Sequence, residues 1–119
     1  MKRLIILPLL LITSPSLAVP GGVIDSLPAG DYICELPGDA VGAAGIRQPV
    51  QSFTILNANS YQTQDGRGAY LLTGDQLAMT SGPKRGQRFH RITNRFLRLI
   101  EADGTDGALR CVRQVVNNR

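Results

Sequence analysis

The sequence predicts an all-β fold: a single small antiparallel meander of about seven or eight strands, closed into a barrel or flattened sandwich, with its first and last strands joined by a disulfide. Three observations predict it. No window after residue 20 sustains a helical apolar stripe. Turn signals recur instead every eight to twelve residues or so, the spacing of an antiparallel β protein: Pro37-Gly38, Asn57-Ala58-Asn59, Asp65-Gly66, Gly74-Asp75, Gly82-Pro83, Thr93-Asn94 and Asp103-Gly104. The two cysteines of the chain, Cys34 and Cys111, fall in the first and last of the runs between those turns.

Taken in order, the runs are 31–36, 51–56, 60–64, 67–73, 76–81, 87–92, 95–100 and 108–116. Residues 19–28 read as an extended lead-in, 37–49 as an irregular Gly- and Ala-rich loop over one end of the barrel, and 117–119 as a frayed end. Register follows from the turns. A three-residue loop at 57–59 sets Ile55 opposite Tyr61, and a two-residue turn at Asp65-Gly66 sets Tyr61 opposite Tyr70. A two-residue turn at Gly74-Asp75 sets Leu72 opposite Leu77 and Tyr70 opposite Met79. One face then carries Phe53, Ile55, Tyr61, Tyr70, Leu72, Leu77 and Met79, the candidate core. Three separately positioned turns agree on it, and a one-residue slip in any strand would turn its side chains to the other face. That other face is mainly polar, with Leu56, Ala69, Leu71 and Ala78 as exceptions. Residues 87–100 mix apolar and basic side chains on both faces, so the pattern leaves their register open.

The chain opens on an export pattern. Lys2 and Arg3 give a positive start, residues 4–12 an apolar run, and Ser16-Leu17-Ala18 small residues at the recognition positions of a signal peptidase. The run is too short to span a bilayer, and no later segment is apolar enough to form a transmembrane helix. The expectation is a cleavable signal peptide over residues 1–18 and a single β domain over 19–119, periplasmic or secreted and monomeric. Loss of Lys2 and Arg3 lowers the formal net charge from +4 to about +2, a balance that favours no nucleic-acid partner. In an oxidising compartment Cys34 and Cys111 read as a disulfide. Closing a loop of that length stabilises the fold by roughly 4–4.5 kcal/mol through the unfolded chain.

Catalytic and metal chemistry find little support. His90 is the single histidine, and with both cysteines oxidised no set of three or four nitrogen or sulfur ligands exists for zinc. The expectation is no metal and no cofactor. Asp103-Gly104-Thr105-Asp106-Gly107 has too few oxygen ligands for a calcium loop and reads as a polar hairpin loop. No serine lies in a nucleophile-elbow context, and Asp65, Asp75, Asp103 and Asp106 sit in turns, where Asp is favoured for backbone reasons. The sequence therefore predicts a protein that is not an enzyme. Its most functional-looking stretch is 84–98, with Lys84, Arg85, Arg88, Arg91, Arg95 and Arg98 and no acid between Gln76 and Ile100. These are candidate anion-binding residues, suited to an anionic envelope lipid or polysaccharide.

Several of the same segments carry a resemblance. Gly30-Asp31-Tyr32-Ile33-Cys34, the run from Phe53 to Tyr61, Gly68-Ala69-Tyr70, and Thr80-Ser81-Gly82-Pro83 with Gly86 soon after resemble a group of small exported proteobacterial β-rich proteins of unknown function. The likeness covers most of residues 19–119. Its motifs are strand and turn signatures, so it implies the fold and no activity. Residues 82–89 are also similar to the lysine loop of translation elongation factor P, in which a lysine at a hairpin tip, here Lys84, reaches into the ribosome. Arg85 departs from the small residue or lysine usual in that loop, the chain is too short for that factor's three β-barrel domains, and an export signal weighs against translation. The functional expectation is a non-catalytic binding or structural envelope module with a basic surface at 84–98. The alternative is a lipocalin-like carrier of a small apolar ligand, which requires an enclosed apolar cavity. Three Tyr, three Phe and no Trp favour a filled core over a hollow one.

Overall fold

The computed structural model describes residues 22–38 and 45–115. Ten strands run through them in chain order: β1 (Ile24–Asp25), β2 (Gly30–Pro37), β3 (Gly45–Arg47), β4 (Phe53–Asn57), β5 (Ser60–Thr63), β6 (Gly66–Thr73), β7 (Gln76–Met79), β8 (Arg88–Thr93), β9 (Phe96–Ile100) and β10 (Asp106–Arg113). A short 3-10 turn, Pro49–Gln51, leads into β4. Eight strands close into a ring. From β4 to β10 each pairs antiparallel with the next, β2 pairs β4, and β10 returns to β2. Cys34 stands opposite Cys111 in that closing pair, and the two form the disulfide. The predicted all-β barrel with a first-to-last clasp is what the chain forms, and closure gives each of the eight ring strands a partner on both sides over at least part of its length.

β1 and β3 lie outside the ring, and both correct the sequence reading. The expected lead-in and the expected irregular loop each contain a strand, for the same reason. β5 covers β6 only from Gly66 to Ala69, so the edge at Leu72 and Thr73 is open and β1 pairs with it. β4 covers β2 only from Gly30 to Tyr32, so Glu35, Leu36 and Pro37 are open on that side and β3 pairs with them. Unmet backbone groups on a long strand recruit whatever chain is near. The expected signal peptide at 1–18, residues 39–44 of the expected loop and the expected frayed end at 117–119 lie outside the described residues.

Two turns match the arithmetic. Leu72 faces Leu77 and Tyr70 faces Met79 across a hairpin whose first turn residue, Gly74, has φ +61°, as a two-residue hairpin loop with glycine in that position requires. Ile55 faces Tyr61. The third turn falls one residue earlier than expected, at Gln64-Asp65, so Tyr61 faces Gly68 and not Tyr70. The shift in pairing is two residues, which keeps every side chain on its face. Gly68 explains the choice. A Cβ there would lie 2.7 Å from Cε1 and Cζ of Tyr61 and would collide with the Ser81 carbonyl oxygen. The missing side chain is the space that the Tyr61 ring occupies.

Phe53, Ile55, Tyr61, Tyr70, Leu72, Leu77 and Met79 are all buried, and Tyr32, Cys34, Phe89, Leu97, Leu109 and Cys111 complete the ring interior with them. In the strands whose register the pattern left open, Phe89 and Leu97 point inward, with Phe89 opposite Leu77 on one side and Leu99 on the other. A shift in pairing between Arg91 and Thr93 breaks the alternation there, so the sequence of those strands reads as mixed. Tyr70 closes the end of the barrel under Leu27. Its hydroxyl donates to Asn57 O at 3.0 Å and accepts the Leu27 N–H at 3.1 Å. Among the described residues no helix is long and apolar enough to cross a membrane.

Candidate functional site

The basic run of 84–98 does not stay together. Arg85 is exposed on the loop between β7 and β8, and Arg95 is exposed in the turn between β8 and β9, at the opposite end of the barrel. Arg91 turns toward β1, where it bonds Asp25 Oδ2 at 3.1 Å, Asn94 Oδ1 at 3.0 Å and the Gly74 carbonyl oxygen at 2.6 Å. That ion pair contributes to holding β1, and it holds the Asp25 carboxyl below its usual range together with the Ser26 N–H bond, the larger cause. Lys84 is buried and turned into the barrel end over Phe53. It is not a projecting hairpin-tip lysine. Only Arg88 and Arg98 of the six share one outward wall.

That wall gains basic residues that the linear run does not contain. Antiparallel pairing carries a row straight across the sheet: His90 on β8 faces Arg98 on β9, Arg98 faces Arg110 on β10, Arg110 faces Glu35 on β2, and Glu35 faces Arg47 on β3. The next row toward the disulfide's other flank is apolar, with Phe96, Val112 and Ile33 in register. Phe96, Val112, Ile33, Arg98, Arg110 and Glu35 are each half-buried. The signal that could have found this row is Cys34–Cys111 itself. Direct pairing of the cysteines sets Glu35 opposite Arg110 and Ile33 opposite Val112.

The cations of the row are held differently. Arg110 Nε donates to Glu35 Oε1 at 3.0 Å. His90 is bracketed, with Nδ1 3.0 Å from Asp106 Oδ2 and Nε2 3.1 Å from Asp75 Oδ2. The Asp106 hydrogen bond, with Asp75 adding to it, raises the His90 pKa above its ordinary 6.5. With both ring nitrogens committed to carboxylates, His90 braces β8, β10 and the turn before β7, and neither nitrogen is left to activate a nucleophile. Arg98 lies over the Phe96 ring, 5.9 Å from its centroid, and donates to the Gly107 carbonyl oxygen at 3.2 Å. No carboxylate among the described residues makes an ion pair with Arg88 or Arg98.

Other candidate chemistry resolves into structure. Asp103 accepts the Thr105 hydroxyl at 2.6 Å and the Thr105 N–H at 3.1 Å, bonds that hold its carboxyl below the usual range and shape the loop before β10. Among the described residues no three His, Cys, Asp or Glu side chains are arranged to hold a metal ion. The ring interior is filled rather than hollow. Phe53 sits among Tyr32, Phe89 and Tyr61, with ring centroids 5.5, 5.6 and 6.4 Å away. A depression of about 360 Å³ is an open groove on the outside between Asp31, Ile33, Ser52 and Gln62. The aromatic side chains around Phe53 occupy interior space that the cavity of a lipocalin-like carrier would need. No family model matches this chain, and no curated protein or solved structure is significantly similar to it.

Proposed function

We propose that this is an exported, non-catalytic binding module, and that its outer wall over the Cys34–Cys111 seam binds an acidic polysaccharide. The approach of three arginines on neighbouring strands, Arg88 on β8, Arg98 on β9 and Arg110 on β10, carries the reading. Like charges directly opposite each other in a sheet destabilise it. Arg110 is compensated by Glu35, while no carboxylate among the described residues makes an ion pair with Arg98, directly opposite it, or with Arg98's diagonal neighbour Arg88. An anion bound along the row removes that repulsion. Strands are about 4.8 Å apart, so three arginines on adjacent strands span roughly 10 Å, which suits successive carboxylates or phosphates of a linear polymer. Phe96, stacked under Arg98, offers an apolar face beside the charges. The export pattern and the resemblance to small exported proteins support the compartment in which such a polymer is met.

The test is retention on immobilised alginate, with neutral dextran as control and phosphatidylglycerol vesicles as the competing anionic surface. Binding to alginate should weaken steeply as salt rises from about 0.05 to 0.5 M, because screening shortens the reach of exposed charges. The Arg88→Gln/Arg98→Gln variant should keep its circular-dichroism spectrum and lose about tenfold or more in affinity, which is 1.4 kcal/mol. Salt-insensitive retention, an unaffected double variant, or vesicle binding without alginate binding would each remove the proposal.

A further inference from the structure

A second constellation lies at the barrel mouth that bears the loop between β7 and β8, away from the wall. Loop residues 80–87 fold in over the mouth and are bracketed by the Tyr61 hydroxyl, which donates to Ser81 O at 2.6 Å and accepts the Lys84 N–H at 2.8 Å. This turns the Lys84 side chain inward. The residue is only 6% exposed. Its Nζ lies 5.5 Å from the Phe53 ring centroid and, among the described residues, has one hydrogen-bond acceptor, Gln87 Oε1, at 3.4 Å. An ammonium carries three donors, and a bond of that length is weak. No carboxylate among the described residues makes an ion pair with it. Burial alone, with no opposing charge to offset it, pushes the Lys84 pKa below its ordinary value. A buried charge without an opposite charge is costly, and among the described residues no other Lys or Arg is buried.

The same side chain lines a recess of about 180 Å³ with Gln87, Gln51, Thr63, Asp65 and Pro83. That volume is below the range of roughly 300–1,000 Å³ that holds drug-sized ligands, so the fitting occupant has only a few heavy atoms. Asp65 is exposed and does not pair with Lys84. The recess is thus lined by a buried cation and an exposed anion that do not pair with each other, together with Gln51, Gln87 and Thr63. Its electrostatic complement is a small molecule with a carboxylate at one end and an ammonium at the other.

We propose that this recess binds a small free amino acid, its carboxylate on Lys84 Nζ and its ammonium toward Asp65. The carboxylate supplies the acceptors that the Lys84 ammonium lacks, in a site already shielded from water, where a charge-assisted bond is strongest. The Gln51 and Gln87 amides can donate to its second oxygen. The ammonium meets Asp65 at the solvent side, where it stays partly hydrated. The site shares no residue with the Arg98 wall, and the inference does not rest on that reading.

The chain has two lysines, Lys2 and Lys84, so protein labelled with ¹³C-lysine reports almost directly on this site. Glycine should move the Lys84 ε-methylene signal saturably and raise its apparent pKa. Acetate, which lacks the ammonium, should bind about tenfold more weakly. Asp65→Asn, a change at an exposed position, should erase that preference, and Lys84→Met should abolish saturable glycine binding by calorimetry. A Lys84 signal indifferent to glycine overturns the proposal. So does equal binding of glycine and acetate in the unsubstituted protein, or binding that survives in Lys84→Met. If Lys84→Met fails to fold, the Asp65→Asn comparison and the Lys84 signal still decide the matter.

Discussion

Tyr61→Phe removes one oxygen atom and should unfasten the loop that seals one end of the barrel. The Tyr61 side chain is fully buried, and its hydroxyl serves two backbone groups of the β7–β8 loop, the Ser81 carbonyl at 2.6 Å and the Lys84 N–H at 2.8 Å. The bond to the Ser81 carbonyl contributes about 1 kcal/mol net, and leaving the buried Lys84 N–H without an acceptor costs about 1–3 kcal/mol. The expected loss is about 2–4 kcal/mol, or a urea midpoint lower by about 1–2 M at an ordinary m-value. Tyr32→Phe is the control. That hydroxyl donates to Pro28 O at 3.0 Å and lies 3.2 Å from Asn94 O, strands no donor when removed, and leaves carbonyls at the barrel rim that water can reach. Its cost should be about 1 kcal/mol. Equilibrium unfolding followed by far-ultraviolet circular dichroism measures both, and amide exchange at Lys84 measures the loop locally. A Tyr61→Phe midpoint no lower than that of Tyr32→Phe, with Lys84 exchange unchanged, would refute the bracket.

Two further outcomes follow from the ring and the row. Cys34→Ala/Cys111→Ala should cost about 4.5 kcal/mol in chain-entropy terms for the sequence separation of 77, lowering the melting temperature by more than about 15 °C; a loss under about 1 kcal/mol would mean that β2–β10 pairing alone holds the seam. His90 has a folded pKa above its unfolded value of about 6.5, so its stabilisation is complete below that pH and is lost as pH rises through the folded pKa. The His90 side chain is 34% exposed, which keeps the effect under about 1 kcal/mol. His90→Gln should remove a decline in stability above pH ~6.5, and a wild-type stability that rises with pH relative to the variant would contradict the Asp106–His90–Asp75 brace.

The barrel was legible because its turns and its apolar face are written locally. Gly74-Asp75 and 57–59 fix register within a few residues, and the cysteines mark the ends of the meander. What depends on empty space was not legible. Nothing in the linear order says that Gly68 is vacated for the Tyr61 ring, and that vacancy is what moved the β5–β6 turn. The candidate site was misread for a related reason. Six cations close in sequence looked like one surface, but alternation and a bulge send Arg91 to β1, Lys84 to the core and Arg95 to the far end. Charges distant in sequence, Arg47, Arg98 and Arg110, meet instead because pairing runs across strands. β1 and β3 escaped notice because they answer to unfilled edges on β6 and β2 rather than to any pattern of their own.

The Cys34–Cys111 link also makes a covalent loop of the backbone from residue 34 to residue 111, and every turn of the eight-stranded ring lies inside it. A protease that cuts any one of those turns releases nothing. The two pieces stay tied at the seam, each still paired with its neighbours, until the disulfide is reduced. Of the described segments, 22–33 and 112–115 lie outside the loop. A cut between β1 and β2 therefore has a different consequence. It detaches β1 and Leu27, uncovers Tyr70, and leaves the rest of the barrel intact.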